Sequence, residues 1–165
     1  MKNFFLSLIL FSTFCFSQND TIQKINRIDS ICLKKTPSKK YNFSIDKKYK
    51  LYNGYSSGIG KSDIIFYFDT QVKQKLMKAI CNESIKYKNG MIEKRTGNFY
   101  YSNDKFIYIK IKVKQITKND ILKDEFNYSF DELSKTKNLK NLLLFDVFPW
   151  VKAKNKEIIN FYLKD

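Results

Sequence analysis

Phe99-Tyr100-Tyr101-Ser102-Asn103-Asp104-Lys105-Phe106-Ile107-Tyr108-Ile109-Lys110-Ile111-Lys112-Val113-Lys114-Gln115-Ile116 decides the fold of this chain. Ile107, Ile109, Ile111 and Val113 take every second place, and Tyr108, Lys110, Lys112 and Lys114 fill the places between. Successive strand side chains point to opposite faces, so this pattern makes one oily face and one wet, cationic face. Ser102-Asn103-Asp104-Lys105 supplies residues that tolerate a left-handed backbone, which predicts a hairpin turn. The oily face needs a cover. The predicted fold is therefore α+β, an antiparallel sheet centred on a hairpin at about 91–117 and packed on one face by helices at about 20–35 and 70–83.

Outward from the hairpin, the first predicted helix carries Ile22, Ile25, Ile28 and Cys32 at spacings of three and four. Asp20 and Gln23 resemble a capping box, and Pro37 prevents continuation. The second begins at Asp69 or Thr70 and places Val72, Leu76, Met77 and Ile80 on one face. Short strands are expected around Tyr41–Ile45 and Tyr49–Tyr52, a Gly/Ser-rich loop over 53–62, and a buried strand at Ile64–Phe68. Asn89-Gly90 reads as a turn and Gly97 as a bulge in the first hairpin arm. Further on, Phe126–Phe130 predicts a strand and Asp131-Glu132 a helix start. Leu139, Leu142, Leu143 and Phe145 fit a helix, but Leu142–Phe148 also fits a core strand; Pro149-Trp150 breaks the run, and Ile158, Ile159, Tyr162 and Leu163 suggest a short terminal helix.

The first residues have the grammar of a secretory signal. Lys2 precedes an apolar run from Phe4 to Phe16, and small residues lead up to Gln18, so cleavage is expected near Ser17. Residues 1–17 are too short a run for a membrane span, and no later stretch is apolar enough for one. Residues 18–165 are then expected to form a single small domain, exported to the periplasm or the extracellular space.

Thirty-one basic residues face 16 acidic ones, a formal charge of +15. Removal of 1–17 takes away only Lys2. Such an excess attracts polyanions. The only arginines are Arg27 and Arg95, whereas base and phosphate recognition favours the bidentate guanidinium, so nucleic acid is a poor fit. Lys, Asn, Ile and Tyr also share A/T-rich codons, and codon bias is the competing source of the charge. Cys32 and Cys81 remain after cleavage, either as a disulfide or as two buried thiols.

Two motifs in the glycine-rich stretch fail on context. Gly54-Tyr55-Ser56-Ser57-Gly58 spells a nucleophile elbow, but that motif needs a strand-to-helix turn and a base, and the chain has no histidine. Gly60-Lys61-Ser62 resembles the end of a P-loop, yet Tyr55 stands where the leading glycine belongs and a strand follows. Neither cysteine has metal-ligand spacing, so no metal or cofactor is expected. Catalysis would rest on carboxylates such as Asp63, Asp69, Glu93, Asp104, Asp124, Glu125, Asp131, Glu132 and Asp146, and no two of them declare a pair.

The reading expected is a non-catalytic binding or accessory protein of the envelope or extracellular space, in contact with an anionic polysaccharide or the envelope surface. A carboxylate-dependent hydrolase, or an inhibitor-type partner of another exported protein, is the alternative. The candidate ligand-binding residues are Tyr49, Tyr52, Tyr55, Lys61, Lys110, Lys112 and Lys114. Aromatic faces stack on rings while lysines attract anions.

Overall fold

The computed structural model describes residues 20–51, 54–69, 75–129, 132 and 147–163; the side chains of 43–57 and 147–148 are not described. The signal-peptide reading of 1–17, Tyr52, the expected cap at Thr70 and the run Leu139–Phe145 lie outside the described residues. The chain divides into two compact units, Met1–Lys35 and Thr36–Asp165.

The first unit contributes helix α1, residues 20–33. Asp20 is already helical, and its carboxylate takes Lys24 Nζ at 2.8 Å, one turn on, in place of the expected capping box. The helix closes with the amides of Lys34 and Lys35 on the carbonyls of Ile31 and Cys32, tightening the last turn ahead of Pro37.

The second unit is a six-stranded antiparallel meander in sequence order, β1(Lys39–Leu51), β2(Gly54–Asp69), β3(Lys75–Tyr87), β4(Ile92–Ser102), β5(Lys105–Ile116) and β6(Ile121–Ser129), followed by helix α2(Val147–Tyr162). At the centre, the β4–β5 turn has Asn103 and Asp104 at φ 50° and 61°, the left-handed pair a two-residue hairpin requires. Ile109, Ile111 and Val113 are buried, while Lys112 is exposed. The bulge falls at Tyr100/Tyr101, not at Gly97. Ile107 has no partner in that register and is half-buried, so Phe106 takes the core-side place that the alternation assigned to Ile107.

Three further expectations are corrected. The helix at 70–83 is a strand from Lys75 onward. Leu76, Met77 and Ile80 fit a helical stripe, but Ala79, Cys81, Ile85 and Tyr87 equally fit a period of two, interrupted only by the acidic Glu83. Pairing to β2 on one side and β4 on the other decides between them. The Gly/Ser loop is the first half of β2, with Gly54 to Ser62 in register with Leu51 back to Phe43. A side chain at Gly60 would meet the Ser84 carbonyl of β3 at 2.3 Å, so the glycine there permits close backbone approach rather than a loop. Pro149-Trp150 does not break a run. Both lie near the start of α2, where the amide that proline lacks would have no intrahelical partner.

One sheet face is the core. Register rows Tyr41–Ile64–Cys81–Gly97–Ile111–Phe126 and Phe66–Ala79–Phe99–Ile109–Tyr128 cross it. Helix α2 lays Trp150, Val151, Ile158, Phe161 and Tyr162 onto these rows, at the three- and four-residue spacings of one helix face. Tyr41 stacks on Phe161 with centroids 5.0 Å apart, and Tyr101 OH donates to Asn155 Oδ1 at 2.8 Å. A capping box closes β6: Ser129 and Glu132 exchange backbone and side-chain hydrogen bonds, and Glu132 is helical as expected.

Candidate functional site

The core face carries a polar cluster that continues the apolar parity of its strands. Glu83, Glu93, Arg95 and Gln115 are each no more than 5% exposed. Glu83 accepts the Trp150 indole N–H at 2.7 Å and Lys154 Nζ at 2.6 Å, both from α2. Arg95 bridges the two carboxylates, with Nη1 3.4 Å from Glu83 Oε2 and Nε donating to Glu93 Oε1. Gln115 Nε2 donates to Glu93 Oε2 at 2.5 Å. Burial alone would lower the Lys154 ammonium, but Glu83 and Glu157 more than reverse this and hold its pKa above the usual lysine value.

A glycosidase pair needs two carboxyl groups open to substrate. The Glu83 and Glu93 oxygens are instead occupied by Arg95, Lys154, Trp150 and Gln115. The cluster therefore anchors α2 to the sheet. Above it, Gly97 leaves room for the Trp150 ring: a methyl there would come within 2.8 Å of the indole. Burial pushes the neighbouring Cys81 thiol up to about 12, and Ser62 Oγ lies 3.8 Å from its sulfur. Cys32 and Cys81 are both buried and are not disulfide-bonded.

The opposite face of the sheet is the candidate binding surface. Lys61, Lys110, Lys112 and Lys114, singled out in the sequence, share it by strand parity. Tyr49 pairs with Ser56 and Tyr55 with Lys50 in the β1–β2 ladder, and their side chains are not described. Two of the lysines are already engaged: Lys110 Nζ sits 5.3 Å above the Tyr100 ring, and Lys112 Nζ lies 3.4 Å from Glu125. Asp63 takes the Asn82 amide at 3.0 Å, and Thr96 donates to Asn82 at 3.1 Å, so the row Asp63–Asn82–Thr96–Lys112–Glu125 is internally paired.

The next row is different. Register places Lys61, Ser84, Lys94, Lys114 and Lys123 side by side across five strands. The row contains no carboxylate, and among the described residues none of its lysines has an acidic partner within ion-pairing distance. An open depression of about 570 Å³ lies along it, and its lining includes Lys94, Lys112, Lys114 and Lys123 as well as the carboxylates Asp124 and Glu125. Sequence reading missed Lys94 and Lys123, which join the row only through cross-strand register. No family model, no curated protein and no solved structure matches this chain.

Proposed function

We infer that this is an exported, non-catalytic binding module whose lysine-bearing sheet face takes a polyanionic component of the cell envelope. The observation that carries the reading is the run Lys94, Lys114, Lys123, paired strand to strand with no acid between. Cross-strand neighbours stand about 5 Å apart at Cβ, and like charges placed so are destabilising. A solvated surface has no use for three of them in sequence; an external polyanion relieves the repulsion and gains three contacts. Lysine is a strongly hydrated point charge, so the binding is sequence-tolerant and falls steeply with salt.

The test is retention on an anionic polysaccharide column. The wild type is compared with Lys94→Gln/Lys114→Gln/Lys123→Gln and with Lys105→Gln/Lys152→Gln/Lys156→Gln, which loses the same charge elsewhere. The row variant is expected to elute at clearly lower salt than the control. Equal elution of the two variants would reduce the effect to overall charge, as codon bias predicts.

A further inference from the structure

We propose that the polyanion is an anionic lipid leaflet, against which the end of the sheet lies with isoleucines inserted beneath the lysine row; this rests on the binding reading above. On the lysine-bearing face, the adjoining register row is Asp46, Ile59, Lys86, Ile92, Ile116 and Ile121, so its one acid stands at the β1 edge, beyond Ile59. Ile59 is 73% exposed and Ile121 52%, and Ile92 and Ile116 are half-buried. In β3 to β6 this row sits at one end of the strands, beside the β3–β4 and β5–β6 turns that carry the exposed Lys88 and Lys118, while the β1–β2 ladder runs on past it to Leu51 and Gly54. Two residues along a strand span roughly 6.6 Å, so the isoleucine row lies one step outside Lys94, Lys114 and Lys123.

The result is four aliphatic side chains flanked by cations on both sides. A polysaccharide uses the lysines and leaves the isoleucines in water. A phospholipid surface uses both: ammonium groups stay at phosphate level while their stems and the isoleucines enter the acyl boundary. The attachment is peripheral. Among the described residues no helix is long and apolar enough to cross a membrane.

Two exposed isoleucines can be changed without touching the core, which keeps the test clean. A chain beginning at Gln18 retains every described element and removes the apolar leader, which would itself enter lipid. Its partition onto phosphatidylcholine vesicles, with and without phosphatidylglycerol, is measured by co-sedimentation beside polysaccharide-column retention. Wild type is expected on anionic vesicles only. Ile59→Ser/Ile121→Ser should lower vesicle partition at least about tenfold, the loss of partial burial of two aliphatic side chains, with column elution and unfolding midpoint unchanged. The Lys94, Lys114, Lys123 variant should lose about fivefold per lysine on vesicles and also elute early. Vesicle binding that ignores the isoleucine pair, or column retention without vesicle binding, overturns the lipid assignment and leaves the polyanion reading standing. A row variant that matches its charge-balanced control on both supports overturns both.

Discussion

Gly97 and Trp150 are complementary shapes. The strand gives up a side chain so that an indole from α2 can approach its backbone closely and reach Glu83. A Gly→Ala change in an ordinary strand is neutral or helpful, because it limits the unfolded chain. Here it overpacks the core: Gly97→Ala should cost about 1–3 kcal/mol, read as a lower urea midpoint. Lys154 is the other decisive residue. Removing it leaves a buried carboxylate short of a partner, and Lys154→Met should cost about 3 kcal/mol at neutral pH. Its pKa is raised above the ordinary 10.5, so the ion pair's contribution is complete below that value. The gap between wild type and variant should hold constant up to about pH 10 and shrink only as pH climbs beyond 10.5. A gap that closes between pH 6 and 8 would show that another group carries the effect.

Among the elements, the β4–β5 hairpin tests the register most directly. Ile109 is fully buried on the helix-covered face, and Lys110 is on the other. Ile109→Lys places an unpaired charge in the core and should cost several kcal/mol, much of a small domain's margin. Lys110→Ile should shift stability by less than about 1 kcal/mol. Equal urea shifts would mean the strand is slipped by one residue, which exchanges its faces. Strand β3 shows how much an element owes to its neighbours. Its residues support two periods, and only the ladders to β2 and β4 select the strand. Gly60 makes the same point in β2, where a glycine stretch serves as pairing surface.

For the whole molecule, export is part of the proposal and has its own test. Exported protein from its own host should have an intact mass showing a start at or near Gln18, without Met1 and without lipid on Cys15. A retained Met1 would remove the compartment from the proposal; lipid on Cys15 would overturn the start near Gln18 and leave the chain anchored in the envelope. The salt dependence of binding also acts at this scale. Exposed charges are screened over about 8 Å at physiological ionic strength, so elution should respond to the lysine row far more than to distant lysines.

Period-two patterning from Ile109 to Val113, turn chemistry at Asn103-Asp104 and the helical stripe of 20–33 were legible in the sequence, because each depends on neighbours within a few residues. The class of fold and the cationic character of one strand face followed from them. Only the tertiary structure decided the rest. Glu83, Arg95, Gln115 and Lys154 come from three strands and a helix, and in sequence each looks like a surface residue. Pairing register turns them inward, and mutual hydrogen bonding offsets the cost of burying them. The lysine row likewise exists only across strands, since Lys61, Lys94, Lys114 and Lys123 meet through ladders that no local pattern records. Local chemistry chooses a strand's faces; long-range pairing chooses which side chains become neighbours, and the candidate site is made of such neighbours.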